Sequence, residues 1–588
     1  MKYRWLLPLP QETAAQSLAA RLGLPALLAQ CLLNRGLTEP AAIGSFLQPR
    51  LRELADPFLL PNMAAAVDRL FQARERKEAL VIFGDYDVDG VTSTALLLEV
   101  LSALGWRVHH YLPHRMDEGY GLSQEAVETC LKKFPVPLLL AVDCGSTTVA
   151  SIAWLREHGV DVIVLDHHQV SSPAPAATAL VNPQLSSAPP ASAQALAASN
   201  ASNSCSAFTE LCSVGLAFKL AHALVKRGRE CGLPGAADYD LRPLLDLVAL
   251  GTIADIVPLM GENRRLVSIG LGWLARTQRP GLVALKRVAQ CPALVGTFEV
   301  GFQLAPRLNA AGRLETAEAA LQLLLARDLA EAMPLALALD ARNRERQQIE
   351  RGIAEKLIEG LQARFNPATD FAIVEVDSAW HVGVVGIVAS RVLQQFYRPT
   401  IIFGGDGDAF RGSGRSIAGF DMAQALRGCG DLLLRHGGHA MAAGVSIHPS
   451  NVPAFRARLN ELARAALKAG ELQAPLGLDA EVRLPEMTLD CLDALERLKP
   501  IGQGNPAVQF VARNLTLQRP PRRMGSAGQH LKLWFTDGDA TCEAVWWGAG
   551  NEPLPAGRFD VAFSPQLNEY NGRRTVQLKV LDWQAAPG

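Results

Sequence analysis

The residues Ala79-Leu80-Val81-Ile82-Phe83-Gly84-Asp85-Tyr86-Asp87-Val88-Asp89-Gly90 decide the fold of the first domain. Five apolar residues, typical of a buried parallel strand, lead directly into a loop that carries three carboxylates at alternate positions. Like charges placed so close together repel one another, so the loop requires a positive partner. The stretch therefore predicts a buried strand with a cation-binding loop at its carboxyl end.

Similar apolar segments follow along the chain, each separated from the next by a stretch that can hold a helix. They cover residues 106–112, 137–142 and 161–165. Strands that alternate with helices predict βαβ units and a parallel sheet. The fold class we predict is multidomain α/β, with a parallel-sheet first domain, a second α/β domain and a C-terminal β barrel of the oligonucleotide-binding (OB) type.

Length, charge and cysteine content set the broad class of the protein. The chain has 588 residues, and its 57 Lys and Arg nearly cancel its 58 Asp and Glu. This balance excludes a uniformly basic coat for nucleic acid or anionic lipid, but a local basic groove is compatible with it. Ten scattered cysteines without a CxxC pair exclude a disulfide scaffold. Without a recognisable signal or membrane segment, we expect a soluble, cytoplasmic protein that does not bind membranes.

Changes of composition along the chain predict four parts. A helical segment followed by the parallel sheet and more helices fills residues 1–338, with a low-complexity insertion at 186–208 that is rich in Ala, Ser, Asn and Pro. A linking helix is predicted at 339–365, a second α/β domain at 366–470 and a β-rich domain at 471–588. The β-rich domain is expected to contain strands at 476–484, 508–517, 530–535, 542–547, 559–564 and 574–580.

Further acidic and imidazole groups follow the later strands of the first domain. One strand ends in Asp143-Cys144-Gly145 and the next in Asp166-His167-His168, while Asp255 lies in a mainly apolar stretch at 244–259. The carboxyl ends of parallel strands meet at one edge of a sheet, so these groups are expected to lie together. Carboxylates and imidazoles without thiolates suit Mn²⁺ or Mg²⁺, and their number predicts two ions that clamp a phosphoryl centre.

A calcium-binding loop is the alternative reading of the Asp-rich segment. The pattern DxDxDG resembles the start of an EF-hand loop, but a strand rather than a helix precedes it, and Leu96 occupies the twelfth position counted from Asp85. Taken alone, each motif is also compatible with a solvated turn. Their recurrence after successive strands favours a dinuclear metal site.

Together, residues 85–90, Asp143, residues 166–168 and Asp255 resemble the four motifs of the DHH phosphoesterase superfamily. Within it, residues 113–121, 305–314, 380–387 and 501–506 resemble the RecJ family of single-strand-specific exonucleases, and the resemblance covers nearly the whole chain. It implies a metal site whose ligands are Asp85, Asp87, Asp89, Asp143, His167 and Asp255. It also implies that Asp87, Asp166 and His168 take part in catalysis.

Three features depart from the family pattern. The insertion at 186–208 and Ser213, where the family favours Gly, are expected to lie away from the metal motifs. Phe83 stands where many superfamily members carry a metal-binding His, so Asp85 is expected to compensate for its absence.

Two further groups of residues are expected to bind the nucleic acid. In the second α/β domain, Gly-rich segments with exposed N–H groups and arginines suit phosphate binding, although a Gly-rich hairpin with a packed His is the plainer alternative. The resemblance assigns nucleic-acid contacts to Arg115, Arg307, Asn309, Arg313, Ser413, Arg415 and His439. In the β-rich domain, basic and aromatic side chains are available for bases, unless the tryptophans fill the barrel core. They are Arg519, Arg522, Arg523, Trp534, Trp546, Trp547 and Tyr570.

These observations and the resemblance together predict a metal-dependent exonuclease that degrades single-stranded DNA from 5′ to 3′ into mononucleotides, in recombination and repair. The polarity and the product are implied by the resemblance alone. We expect a monomer that works with a helicase, a single-strand-binding protein or other repair partners. Two alternatives stay open: a phosphodiesterase or pyrophosphatase of the same superfamily that acts on small substrates, and a non-catalytic strand-binding scaffold.

Overall fold

A computed structural model describes residues 2–114, 118, 121–187, 208–314, 316–405, 407–550, 552–554 and 556–586. The chain forms two compact units. One comprises Glu39–Asn343 and Leu498–Pro506, and the other comprises Met1–Thr38, Arg344–Arg497 and Ala507–Gly588. Most of the predicted insertion at 186–208 lies outside the described residues, as does Arg115.

The first 78 residues are mainly helical, as their apolar spacing predicts. A short strand, β1 (Arg4–Leu6), precedes the helices α1 (Glu12–Leu22), α2 (Ala26–Asn34), α3 (Pro40–Leu47) and α4 (Met63–Glu75). Prolines begin two of these helices: Pro25 is the N-cap residue of α2 and Pro40 is the first residue of α3, where the missing N–H costs nothing. Within the described residues, no single helix is long and apolar enough to cross a membrane, although α1 and α2, bent by 114°, pass that test as a pair.

The predicted parallel sheet is confirmed. Its strands are β2 (Ala79–Phe83), β3 (Arg107–Tyr111), β4 (Leu138–Val142), β5 (Asp161–Leu165) and β6 (Ala179–Val181), and all four pairings are parallel. The helices α5 (Val88–Ala103), α6 (Gln124–Lys133) and α7 (Val149–Glu157) connect successive strands. Apolar side chains from both faces of the sheet are buried, which explains why β2 and β4 are continuous apolar runs.

Helices complete the first unit and lead out of it. They are α8 (Ser213–Glu230), α9 (Leu245–Ala254), α10 (Gly261–Ala275), α11 (Pro280–Val288), α12 (Thr297–Glu299), α13 (Ala305–Leu314), α14 (Glu318–Leu325) and α15 (Leu329–Arg364). A π-helical turn, Val300–Leu304, joins α12 to α13. The helix α15 covers nearly all of the predicted linking helix at 339–365 and begins ten residues earlier, with Pro334 near its start.

The second α/β region forms a mixed five-stranded sheet. Its elements are β7 (Ile373–Val376), α16 (Val385–Phe396), β8 (Thr400–Gly404), β9 (Phe410–Arg415), α17 (Met422–Arg427), β10 (Leu433–Gly438), β11 (Ala442–Ile447) and α18 (Val452–Ala466). The strand order is β10-β11-β9-β8-β7, with only β7 and β8 parallel. The Gly-rich segments lie on β9, β10 and β11.

The C-terminal region closes into a barrel. It contains β12 (Pro475–Gly477), β13 (Ala480–Glu481), α19 (Leu489–Leu495), β14 (Phe510–Leu517), β15 (Arg522–Met524), β16 (His530–Thr536), β17 (Thr541–Trp546), β18 (Phe559–Tyr570) and β19 (Arg573–Ala585). The order β14-β18-β19-β17-β16 returns to β14 through a β14–β16 pairing, which gives the five-stranded closure of an OB fold. The single strand predicted at 476–484 is wrong. Two short strands stand there, and β12 pairs with β1 rather than with the barrel.

Candidate metal centre

The candidate metal centre lies at the carboxyl ends of β2, β4 and β5. In the sheet order β3-β2-β4-β5-β6, the chain leaves β2 toward β3 on one side and later returns to β4 on the other. This reversal is the topological switch point at which open α/β sheets bind ligands. The loop after β2 carries residues 85–90, Asp143 follows β4, and residues 166–168 follow β5. The structure thus brings the three predicted motifs to one edge.

Three overlapping groups of side chains there have ligand atoms within 4.8 Å of one another. One group is formed by Asp89, His167 and Asp255, the second by Asp85, Asp87 and Asp143, and the third by Asp143, His167 and His168. Asp143 and His167 each belong to two groups, so the cluster is continuous. All six predicted metal ligands and His168 therefore lie within this cluster.

His167 lies at the centre of the cluster. Its Nε2 atom is 3.5 Å from Asp143 Oδ1, 3.5 Å from Asp255 Oδ2 and 4.0 Å from Asp89 Oδ2. Asp255 immediately follows α9, which explains how a carboxylate after an apolar helix reaches the site. Asp255 Oδ2 is buried and has no hydrogen-bond partner among the described residues. A buried carboxylate oxygen without a donor is the arrangement that a cation would satisfy.

The loop after β2 is held tightly by the start of α5 and by α13. Asp87 caps α5 by accepting a hydrogen bond from the Gly90 N–H at 3.1 Å. Gly90 has to be glycine, because a Cβ atom there would lie 2.6 Å from the carbonyl oxygen of Asp85. On α13, Asn309 Oδ1 accepts from the Val88 N–H at 3.1 Å. A Cβ atom on Gly312, also on α13, would lie 2.6 Å from the Tyr86 carbonyl oxygen.

The first residues of α8 hold two of the carboxylates, and here the sequence-based expectation for Ser213 is wrong. The N–H groups of Ser213 and Val214 donate to the two oxygens of Asp89 at 2.7 and 2.8 Å. The Ser213 hydroxyl donates to Asp143 Oδ1 at 2.9 Å. Ser213 therefore lies in the centre rather than away from it. Its contacts bridge 124 and 70 residues, so no local pattern reports them.

Asp166 orients His168 rather than joining the groups of candidate ligands. Asp166 Oδ1 lies 2.7 Å from His168 Nδ1, and Oδ2 accepts from the Ser146 N–H at 3.0 Å. Asn182 Nδ2 donates to both the Ser146 hydroxyl and the His168 carbonyl at 2.8 Å. Because Asp166 engages Nδ1 of His168, Nε2 is the ring nitrogen that can contact a phosphate or another group in the centre.

The electrostatics show how strongly the site needs positive charge. Burial, together with Asp87, raises the pKa of Asp89 to about 7, and burial with Asp89 raises that of Asp255 to about 9. The pKa of Asp143 is well above its usual range for the same reasons. Burial alone would raise the pKa of Asp166, but the hydrogen bond from His168 lowers it. Divalent cations would offset the repulsion among these oxygen and nitrogen ligands, so the residues present fit Mn²⁺ or Mg²⁺.

Phe83 is not part of the candidate metal centre. Its side chain is fully buried in the core beside the sheet, with its ring 5.5 Å from that of Tyr111. The next residues, from Gly84 onward, form the loop that carries Asp85. Asp85 belongs to the group with Asp87 and Asp143, and its compensation for the missing His stays a prediction.

The predicted phosphate-binding residues of the second α/β region form a small cluster of their own. Arg415 Nη1 donates to the Ser413 hydroxyl at 2.9 Å and to the Gly414 carbonyl at 2.8 Å. Gly386 allows both side chains to approach, because a Cβ atom there would lie 2.9 Å from Ser413 Oγ. Burial lowers the pKa of Arg415, and no carboxylate pairs with it in the part of the chain that the structure describes. His439 is exposed after β10.

The remaining predicted contacts are distributed over α13 and the barrel. Arg307 donates to Asp340 Oδ1 at 2.9 Å, and Asn309 supports the Val88 N–H. The side chain of Arg313, like the whole of Arg115, lies outside the described residues. In the barrel, the Arg519 guanidinium carbon is 3.6 Å from the centroid of the Trp534 ring. Trp547 and Tyr570 expose 53% and 73% of their surface, so they do not fill the barrel core.

Three family descriptions match the chain. The DHH family N-terminal domain matches residues 79–252, the DHHA1 domain residues 369–465 and the RecJ OB domain residues 478–582. Together they include the parallel sheet with all the candidate ligands except Asp255, the second α/β sheet and most of the barrel.

Curated proteins and solved structures give the same family. The single-stranded-DNA-specific exonuclease RecJ of Dickeya dadantii is 38% identical over 578 residues, which cover 95% of this chain and 96% of that protein. The enzyme of the same name from Bacillus subtilis is 35% identical, with 99% and 71% covered. The crystal structure of RecJ from Thermus thermophilus in complex with Mn²⁺ matches with a TM-score of 0.82 at 32% identity, covering all of this chain and 80% of that one.

Proposed function

Because this chain belongs to the RecJ family of single-stranded-DNA-specific exonucleases, we propose that it hydrolyses single-stranded DNA with divalent cations. We further propose that it acts from the 5′ end and releases mononucleotides, in recombination and repair. The observation that carries the proposal is the convergence of three ligand groups on one edge of the parallel sheet, joined through Asp143 and His167.

The proposed ligands are Asp85, Asp87, Asp89, Asp143, His167 and Asp255. When bound, two ions of Mn²⁺ or Mg²⁺ would activate water and offset the charge that develops on the phosphodiester. The protein fixes its ligands beforehand: α8 holds Asp89 through two N–H groups, and α5 begins at Asp87. Ligands fixed in this way need no reorganisation during the reaction.

We assign His168 to the phosphate, with Asp166 as its positioning partner. Asp166 fixes the ring through Nδ1, and burial alone would lower the pKa of His168, but the hydrogen bond with Asp166 raises it to about 9. A protonated ring stabilises negative charge on a phosphoryl oxygen and can also pass a proton to the leaving oxygen. Asp87, besides being a proposed ligand, holds the loop in place by accepting the Gly90 N–H.

The proposed binding of the DNA strand combines a partly buried arginine with aromatic side chains of the barrel. Arg415 is a partly buried cation with neutral hydrogen-bond partners, so a phosphate would supply the missing negative charge. We also propose contacts with the nucleic acid for Arg115, Arg307, Asn309, Arg313, Ser413 and His439. The Arg519–Trp534 pair and the exposed rings of Trp547 and Tyr570 offer the barrel faces on which bases stack.

Some features of the proposal extend beyond the chemistry. We propose that the enzyme is a monomer, that it is located in the cytoplasm, and that it works with a helicase, a single-strand-binding protein or another repair partner. We also propose that the functional parts follow the divisions 1–338, 339–365, 366–470 and 471–588.

A time course on long single strands labelled at the 5′ or the 3′ end tests the proposal. With Mn²⁺ or Mg²⁺, the 5′ label should appear at once as mononucleotide, while the 3′ label should pass through progressively shorter strands. EDTA should stop both. A clear preference for a dinucleotide over the long strand would instead assign the chain to the small-substrate phosphodiesterases.

The scaffold alternative needs a separate control. Asp89 is 1% exposed and belongs to the group with His167 and Asp255, so Asp89→Ala should abolish cleavage if the cluster is catalytic. Unchanged cleavage by this variant would show that the activity arises elsewhere, and the strand would then be bound rather than cut at this centre.

A further inference from the structure

We propose that Ser213 is a positioning residue of the metal centre, whose hydroxyl sets the affinity for divalent cations by fixing the carboxylate of Asp143. The inference rests on the proposed function, since it concerns the cations used in that reaction. It goes beyond that function because it assigns a role to a side chain outside the metal motifs.

Ser213 connects two carboxylates that belong to different ligand groups. Its N–H donates to Asp89 Oδ2 at 2.7 Å, and its hydroxyl donates to Asp143 Oδ1 at 2.9 Å. Asp89 lies in the group with His167 and Asp255, whereas Asp143 lies in the group with Asp85 and Asp87. One residue therefore sets the relative positions of the two groups.

The hydroxyl has no other structural task in its surroundings. Cys212, not Ser213, is the N-cap residue of α8, so the hydroxyl is not used to cap the helix. The residue is fully buried, so it cannot contact the substrate. Its effect on the reaction has to pass through Asp143.

The carboxylate that the Ser213 hydroxyl holds belongs to Asp143, a residue with an uncommon backbone conformation. Its φ of 65° lies in the left-handed region, which glycine adopts readily and which Asp adopts more often than most other residues. The oxygen that accepts from the Ser213 hydroxyl, Asp143 Oδ1, also lies 3.5 Å from His167 Nε2. The Ser213 hydroxyl uses one of the roughly four acceptor positions of the carboxylate and holds the group in one rotamer, leaving the rest for a cation. Partners of this kind, which hold a ligand in place, typically change metal affinity by about 10- to 100-fold when removed.

Substitutions at Ser213 separate its hydroxyl from its N–H. Ser213→Ala and Ser213→Gly remove the donor to Asp143 but keep both N–H donors to Asp89. Ser213→Thr keeps the hydroxyl. The matched control is Ser93→Ala on α5, because Ser93 is also fully buried and its hydroxyl has no hydrogen-bond partner in the part of the chain that is described.

Binding of Mn²⁺ to the metal-free full-length chain, measured by isothermal titration calorimetry with thermal melting of each variant, tests the inference. We expect Ser213→Ala and Ser213→Gly to weaken Mn²⁺ binding by about 10- to 100-fold, whereas Ser213→Thr and the control Ser93→Ala should bind Mn²⁺ about as tightly as the parent. We also expect excess Mn²⁺ to restore the cleavage rate of the Ala variant.

The outcomes separate this inference from the proposed function. Parent-like Mn²⁺ affinity in both Ala and Gly variants would overturn the role of Ser213 while leaving the metal centre intact. Equally weakened Mn²⁺ binding in Ser213→Thr, Ser213→Ala and Ser213→Gly would show that packing causes the effect, and this result would also overturn the role of the hydroxyl. A parent chain that binds no Mn²⁺ would overturn the proposed function, and the role of Ser213 with it.

Discussion

Gly312 lies outside the metal motifs, yet the structure predicts that a single methyl group at this position damages the centre. The residue is on α13, where the helix backbone packs directly against the loop that carries the first three carboxylates. In Gly312→Ala, the new Cβ atom would lie 2.6 Å from the Tyr86 carbonyl oxygen and 3.3 Å from the Tyr86 Cβ. Because the nearest atom is part of the backbone, no side-chain rotation relieves the contact.

The size of the effect follows from this distance. Cβ atoms are essentially never found closer than 3.0 Å to another heavy atom and ordinary carbon–oxygen contacts begin at about 3.3 Å, so the loop and α13 have to separate by roughly 0.4–0.7 Å. The Asn309–Val88 hydrogen bond between the same two elements is then stretched. A displacement of about 1 Å at reacting groups costs about 100-fold in rate, so we expect kcat to fall by roughly 10- to 100-fold. Overpacking costs about 1–3 kcal/mol, while Gly→Ala in a helix gains about 1 kcal/mol, which predicts a loss of stability of about 0–2 kcal/mol.

The assay combines single-strand cleavage at saturating Mn²⁺ with urea unfolding of the same preparation. Gly272→Ala on α10 is the matched control, because that glycine is also helical and nothing lies within 4 Å of its added Cβ. The control should keep full activity and gain about 1 kcal/mol of stability. Gly312→Ala with parent-like kcat would refute the reasoning that close packing of α13 sets the geometry of the loop.

Three further substitutions and one change of conditions probe the rest of the account. Asp143→Ala should abolish cleavage but leave strand binding within about threefold in a fluorescence-anisotropy titration, and comparable loss of both would make Asp143 structural. Arg415→Ala should weaken binding of a 5′-phosphorylated strand by about 1.5–3 kcal/mol, with part of the loss recovered in Arg415→Lys, and equal affinity in all three proteins would contradict a phosphate site. Trp534→Ala should cost about 1–3 kcal/mol in the affinity for long strands but little for a dinucleotide, so an equal loss for both would count against base stacking. Affinity for the strand should fall linearly on a logarithmic scale as salt rises, whereas a flat response would exclude a phosphate-lined path.

The metal centre could be predicted because its residues stand at the ends of strands. Apolar runs such as residues 79–83 indicate buried strands, and parallel strands place their carboxyl ends together whatever their sequence separation. The acidic and imidazole side chains that follow these strands are therefore expected to lie close together. Asp255 could be included because an uncompensated carboxylate beside an apolar helix requires a partner, and the structure places it 3.5 Å from His167.

The parts that could not be predicted depend on contacts between distant segments. Ser213 begins a helix, as serines commonly do, and nothing in its neighbourhood indicates that it reaches Asp143. Asn309 was expected to contact nucleic acid, but its amide oxygen accepts the Val88 N–H. Its role on DNA stays a prediction. Gly312 likewise gives no local signal, because a helical glycine shows its purpose only when the packed neighbour is known.

Element boundaries differ where local preference and tertiary packing compete. Pro334 disfavours a helix interior, so the sequence predicts a later start for α15 than the observed Leu329. The segment 476–484 has strand-like composition, but its first part pairs with β1 and its second with β14. A pairing partner at the opposite end of the chain cannot be read from the segment itself.

Anomalous diffraction at the manganese edge, from crystals of the parent chain grown with Mn²⁺, would locate the cations that the cluster is proposed to bind. We expect two anomalous-difference peaks within the cluster. One should be contacted by Asp89, His167 and Asp255, and the other by Asp85, Asp87 and Asp143. Peaks elsewhere in the chain, or none at this edge of the sheet, would contradict the proposed metal centre.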